Sequence, residues 1–306
     1  MKEKKSSWWK TLLLIIGAFI CAVIVCVVGF FAYLTITEFN PDDVEAVEVT
    51  DVGNGSLEQG KSFKVMSWNI GYGALGDNAD FFMDGGTGVM TADEQRLDEN
   101  LAEISSQVKD ADPDLLLLQE IDLNSKRSYN VDELAFMQEN LGKYSSAFAY
   151  NYKVKFVPYP VPPLGKVESG IATFSKAGIE SAERYQLPVP FSWPVRTANL
   201  KRALLVSHIP VSSSDKELVL INLHLEAYDS GEGKIAQTKM LSEVLKEERD
   251  KGNYVIAGGD FNQIFSSADE DAYPTNPKLW TPGEIDVDQI GEGFRSEEHT
   301  SELQSR

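Results

Sequence analysis

Hydrophobic and polar positions divide the chain into unlike stretches. From Thr11 to Thr37 no charged residue occurs, and Leu, Ile, Val, Phe and Ala dominate. At about 1.5 Å per residue, a helix of that length crosses a hydrocarbon core of about 30 Å with some tilt. Lys2, Lys4, Lys5 and Lys10 lie before or at its start, beside Trp8 and Trp9, and Glu38, Asp42, Asp43 and Glu45 follow. A basic flank stays on the cytoplasmic side, so the pattern predicts a cytoplasmic N-terminus at 1–10, a transmembrane signal-anchor helix at 11–37 and an extracytoplasmic remainder. A cleaved signal peptide is disfavoured, because the run exceeds an apolar core of about 7–15 residues and no clear small-x-small site follows. Residues 38–60 are acidic and Gly-containing, the composition of an extended tether.

From residue 61 to 294 strand patterns alternate with helical ones. Phe63–Asn69 reads as a strand, and Asp93–Lys109 as an amphipathic helix with Leu97, Leu101, Ile104 and Val108 on one face. Asp114–Gln119 reads as a buried strand and Val131–Leu141 as a short helix. Ser169–Ser175, Ala203–His208 and Leu218–Leu225 are strands, Lys234–Arg249 is a helix, and Tyr254–Ala257 is a further strand. Strands outnumber those of a simple βα alternation. The expected fold is therefore an α/β sandwich, two mixed sheets flanked by helices, rather than a doubly wound parallel sheet.

Charge and cysteine content narrow the chemistry. The net charge is −19, and residues 1–10 hold four Lys and one Glu, so residues 11–306 carry −22. A surface that acidic repels polyanions, which disfavours nucleic acid as a partner unless divalent cations intervene. The only cysteines, Cys21 and Cys26, lie in the apolar run. A disulfide framework, a Cys-based zinc site and a thiol nucleophile are thereby excluded from the rest of the chain.

Four apolar strands end in polar groups. Asn69 closes Ser67-Trp68-Asn69-Ile70, and Glu120 follows Leu115–Leu118 and Gln119. An Asn offers one neutral oxygen and an NH₂, although at a strand end it is also a common turn former. A carboxylate at the mouth of a buried strand needs a partner, and a hard cation such as Mg²⁺ is a natural one. His224 ends Asn222-Leu223-His224, with no second His at metal-site spacing; it suits a structural role or a hydrogen bond to a phosphate oxygen. In Gly258-Gly259-Asp260-Phe261-Asn262 the glycines permit close backbone approach, and Asp260 and Asn262 at i and i+2 can face the same way.

Ser67-Trp68-Asn69-Ile70, Leu118-Gln119-Glu120, Ser169-Gly170-Ile171-Ala172, Asn222-Leu223-His224 and Gly259-Asp260-Phe261-Asn262, in this order, resemble the endonuclease/exonuclease/phosphatase family. The resemblance covers residue 61 to about 290. It implies a four-layered α/β sandwich and Mg²⁺-dependent cleavage of a phosphoester by in-line attack of water, with Mn²⁺ or Ca²⁺ as alternative ions. By the same resemblance Glu120 is the metal ligand, Asn69 a metal ligand or phosphate contact, and His224 a stabiliser of the pentacovalent state. Asp260 orients the nucleophile and Asn262 binds phosphate.

The family closes with a strand bearing Ser-Asp-His or a similar pair, and nothing here matches it. The only later histidine, His299, lies in Arg295–Arg306, a polar run that looks like a translated sequencing adapter. The expectation is that 295–306 is an artefact, that the domain at 61–294 lacks its closing strands, and that the chain as it stands is impaired while the intact parent is an enzyme. Substrate readings run from a lipid head group or small phosphoester, favoured by the anchor, to an extracytoplasmic nuclease or a non-catalytic binding module of the same fold. The segment Phe156–Leu164, rich in proline, would form an apolar rim in the first of these. Oligomeric state is not legible.

Overall fold

The computed structural model describes residues 8–52, 55–76, 79–84, 86–228, 231–268, 282–291 and 293–296. From residue 297 onward the adapter-like tail, including His299, lies outside the described residues. In chain order the elements are α1 (Trp8–Ile36), β1 (Val44–Ala46), β2 (Val49–Thr50), β3 (Leu57–Glu58), β4 (Val65–Asn69), α2 (Glu94–Ala111), β5 (Leu115–Asp122) and α3 (Glu133–Asn140). They continue with β6 (Ser145–Val157), β7 (Gly165–Ser175), β8 (Ser181–Gln186), β9 (Ala203–Ser212), β10 (Glu217–His224), α4 (Glu232–Asp250), β11 (Tyr254–Asp260), β12 (Gln263–Phe265) and β13 (Gly283–Ile285).

The strands form two mixed sheets. One runs β2-β6-β7-β5-β4; the other runs β1-β8-β9-β10-β11, with β3 paired to β9. Each path ends in a parallel pair, β5 with β4 and β10 with β11, while the inner neighbours are antiparallel. The four-leucine run shows how the sequence builds layers, because successive strand residues face opposite sides. Leu115 and Leu117 enter the core between the sheets with Ile171, Leu205, Leu218 and Leu220. Leu116 and Leu118 face the other way, into a cluster with Leu97, Leu101 and Val108 of α2 and Met137 of α3. Across the second sheet, Val219, Ile221 and Leu223 meet Leu241, Val244 and Leu245 of α4. The result is the expected α/β/β/α sandwich, two mixed sheets flanked by helices.

Two features depart from the reading of the sequence. The stretch 38–60, expected as a tether, is built into the sandwich: β1 pairs with β8, β2 with β6 and β3 with β9. The side chain of Glu38 is only 3% exposed, held by Lys201 at 2.7 Å and Arg196 at 3.3 Å. Acidic composition suggested solvation, but a buried carboxylate is stable where cations meet it. Second, the 13-residue strand β6 and the shorter β8 were not expected. Alternation in Tyr152-Lys153-Val154-Lys155 was the available signal for β6.

Helix α1 is the one described helix long and apolar enough to cross a membrane, by length and composition. Strands β4 and β11 each end their sheet path and are in contact with one another. Their residues are half-buried or exposed, whereas those of neighbouring β5 and β10 are almost all buried.

Candidate active site

Sheet register brings the four polar strand ends together. Asn69 lies opposite Gln119 across β4 and β5, so Glu120 follows directly. His224 lies opposite Asp260 across β10 and β11. Glu120 occupies a β-bulge, where the β5–β7 register shifts between Gln119 and Ile121, and its φ of 57° is unusual for a residue with a side chain. Such a conformation persists only where its surroundings impose it, and it turns the Glu120 carboxylate out of the strand alternation.

Asn69 joins the two sheets at this end. Its Nδ2 donates to Glu120 Oε1 and to Asp260 Oδ2, both at 2.9 Å, while its Oδ1 accepts from the Gly71 N–H at 3.0 Å. The backbone N–H of Asn262 donates to the other Asp260 oxygen, Oδ1, at 2.9 Å, and Asn262 Nδ2 donates to the Leu225 carbonyl at 2.8 Å. Asn262 therefore fixes Asp260 through its backbone and the end of β10 through its side chain, and it too has positive φ, at 51°. Gly259 is required here, since a Cβ would strike the Leu223 carbonyl oxygen.

His224 is buried, with its Nε2 3.7 Å from Asp260 Oδ2. Burial pushes its pKa below the usual imidazole value, and the nearby Arg202 guanidinium pushes it further down; Asp260 and Glu120 oppose this. The net direction is downward, toward a neutral ring. Arg202 donates from Nη1 to the His224 carbonyl at 3.1 Å and from Nε to Glu226 Oε2 at 3.3 Å.

Beneath these groups lies a buried polar lock between the sheets. Asn222 Nδ2 donates to the carbonyls of Leu118 (3.1 Å) and Ala172 (2.9 Å), and its Oδ1 accepts from Gln119 Nε2 at 2.8 Å. These bonds tie β10 to β5 and β7 directly below Glu120 and His224.

A second buried cluster supports the bulge. Arg127 forms a two-pronged pair with Asp122, at 3.0 and 2.9 Å, and its guanidinium lies 3.7 Å above the Tyr72 ring centroid. Ser128 also donates to Asp122, and the Asp122 N–H donates to Glu133 Oε2 at 2.9 Å. Burial raises the Glu133 pKa well above the ordinary carboxylate value, with the Asp122 charge adding to the rise. Asp122, Arg127, Tyr72 and Arg202 stand outside the motifs of the sequence, whereas Gln119 belongs to Leu118-Gln119-Glu120 but carries no assigned role there. Asp122, two residues beyond Glu120 on the same strand, was the one with a usable signal.

All five expected site residues, Asn69, Glu120, His224, Asp260 and Asn262, thus meet at the common edge of the two sheets. Among the described residues no group of three or more His, Cys, Asp and Glu is arranged to hold a metal ion by side chains of those types alone. What the edge does hold is two carboxylates bonded to one amide, beside a buried imidazole.

Comparison with known proteins adds a family. Residues 66–300 match the model of the Endonuclease/Exonuclease/phosphatase family. No curated protein matches the chain. Similar solved structures include an endonuclease/exonuclease/phosphatase from Beutenbergia cavernae DSM 12333, at 19% identity and a TM-score of 0.43, covering 59% of this chain and 43% of that one. The human Nocturnin catalytic domain with bound sulfate shows 19% identity and a TM-score of 0.45, covering 73% and 68%. A mannosyl-6-phosphatase from Bacteroides thetaiotaomicron VPI-5482 shows 22% identity and a TM-score of 0.43, covering 66% of each chain. The chain thus spans less than half the length of the Beutenbergia protein.

Proposed function

The chain belongs to the endonuclease/exonuclease/phosphatase family, and on that premise we propose that it is a membrane-anchored, divalent-metal-dependent phosphoester hydrolase whose catalytic domain faces away from the cytoplasm. The observation that carries this reading is the meeting of the Glu120 and Asp260 carboxylates on the Asn69 amide, beside a buried His224 whose pKa is pushed down.

The residues present fit a hard cation. Two carboxylates within hydrogen-bond distance of one amide nitrogen concentrate negative charge at a half-buried point, and Mg²⁺ takes one or two protein carboxylates while keeping several waters. Glu120 would hold the ion, with Asn69 as a further ligand or a phosphate contact beside it. When bound, the ion supplies Lewis-acid polarisation of a phosphoryl oxygen.

The protein's own groups supply positioning and proton handling. Asp260, fixed by the Asn262 N–H, orients the attacking water and takes its proton as the P–O bond to the leaving oxygen breaks, and that oxygen departs as an anion or is protonated from solvent. His224, neutral and held by Arg202 at its backbone, donates a hydrogen bond to the phosphoryl oxygen as charge develops. Asn262 exchanges its bond to the Leu225 carbonyl for a phosphate oxygen. Charge selects among substrates: −22 over residues 11–306 disfavours nucleic acid, and α1 favours a lipid head group or small phosphoester.

The test is hydrolysis of bis-p-nitrophenyl phosphate by the full chain in detergent with Mg²⁺, then with a chelator. Loss of turnover on chelation, and a fall in kcat of about 10²-fold or more in Asp260→Ala and His224→Ala, is expected. Turnover indifferent to both would overturn the proposal. Nicking of plasmid DNA that Asp260→Ala abolishes would move it to the nuclease reading.

A further inference from the structure

The last turns of α1 are fastened to the catalytic domain. Leu34 is buried, Phe30 and Phe31 are half-buried, and Trp193 lies against them with ring centroids 5.6 Å from Phe31. Trp193 Nε1 also donates to Thr35 Oγ1 at 3.1 Å. Just beyond the helix come the Glu38 ion pairs with Lys201 and Arg196, and Phe39, 6.1 Å from the Tyr150 ring and beneath Lys153. Contacts on several sides of one short segment fix the direction in which α1 leaves the domain.

The same loop walls a cavity of about 110 Å³. Its lining includes Phe191, Leu200, Tyr152, Tyr159, Tyr228 and Glu226. Glu226 is bonded to Arg202, which also holds the His224 carbonyl, so a chain of two hydrogen bonds links the cavity lining to the backbone of His224. Phe191 is two residues from Trp193, at most about 7 Å of chain. One wall of the cavity therefore lies close to where α1 exits.

Exposed apolar side chains flank two of the cavity-lining segments. Val161, two residues beyond Tyr159, is 95% exposed, and Trp193 and Val195 are 53% and 51% exposed. Arg196 and Lys201 are taken up by the Glu38 carboxylate, and the Lys153 ammonium lies over the Phe39 ring. An exposed apolar rim with a tryptophan, joined to a helix long enough to cross a membrane, suits the interfacial layer of a bilayer. At about 1.5 Å per residue α1 is about 43 Å long against a hydrocarbon core of about 30 Å, which leaves its final turns, where Trp193 binds, at headgroup depth.

We propose that the domain sits against the bilayer that α1 crosses, with the mouth of this aromatic cavity facing the headgroups, and that it draws a lipid-borne phosphoester from the membrane surface. The proposal rests on the phosphoesterase reading above for its substrate, while the orientation stands on the contacts of α1 alone.

Cys21 and Cys26 are the only cysteines, so replacing both by Ser gives a background for single labels. Val161→Cys, and Asp215→Cys as a control at the opposite end of β10 from His224, are labelled with a fluorophore. The full chain is then placed in vesicles of phosphatidylcholine and phosphatidylglycerol that carry a lipid-attached quencher. Strong quenching at 161 and little at 215 is the expected result; equal quenching at the two positions would overturn the orientation. In parallel, Val161→Asp combined with Trp193→Asp should lower hydrolysis of a vesicle-borne phosphodiester lipid about tenfold, with bis-p-nitrophenyl phosphate unaffected. Equal rates of wild type and variant on the lipid would overturn the delivery role. Absence of hydrolysis on either substrate would overturn phosphoesterase activity and lipid delivery for this chain, and the quenching pattern would still decide the orientation.

Discussion

Asn222 makes three buried hydrogen bonds that no apolar residue can replace, and it makes them between the two sheets. Its removal strands the Leu118 and Ala172 carbonyls and Gln119 Nε2 in the core. Asn222→Ala should therefore cost about 3 kcal/mol or more, read as a lower urea midpoint at unchanged slope. Glu133 makes a prediction in pH. Burial raises its pKa in the folded protein, so folding holds its proton more tightly than the unfolded chain does. Its stabilising contribution is complete below the ordinary carboxylate value of 4.5 and is lost as pH rises through the folded value. Glu133→Gln should gain stability relative to wild type as pH rises from 4.5 toward neutrality; a constant difference across that range would remove Glu133 as the cause. At the site itself, Glu120→Gln should weaken Mn²⁺ binding, followed by electron paramagnetic resonance, by about tenfold or more.

At the scale of elements, the decisive feature is the parallel pair that ends each sheet. β5 and β10 are buried and carry Glu120 and His224; β4 and β11 lie outside them and carry Asn69 and Asp260. The outer strands have a ladder on one side among the described residues. Their outward-pointing amides should exchange with deuterium faster than those of β5 and β10, and the contrast should be greatest at Val65–Trp68 and Val255–Gly258. Uniform protection across all four strands would show that both edges are covered. The loop between β8 and β9 carries Trp193 at one bend and cavity-lining residues on either side, so one segment touches both α1 and the cavity.

At the scale of the whole molecule, α1 and the sandwich are continuous. The stretch 38–60 reads as a tether by composition, yet its three short strands join both sheets. Cutting that stretch away to obtain a soluble domain from residue 61 should therefore lower its thermal midpoint relative to a version beginning at Glu38. Equal midpoints would make β1 to β3 passengers.

The sequence by itself determined the layers and the candidate site. A 27-residue uncharged run sets out one long apolar helix, and strands outnumbering helices, with apolar runs ending in Asn, Glu, His and Asp, set out two sheets with a polar edge. Each depends on local periodicity, which a linear pattern records directly. Only the tertiary structure decided what those groups bond to. The Asn69 bridge spans 191 residues to Asp260, the Asn222 lock spans 103 to Gln119, and Trp193 reaches back 158 residues to Thr35. The buried Arg127–Asp122 pair and the Glu38 clamp were hidden for the same reason: a charged residue reads as solvated until its partner, set by the fold, is known.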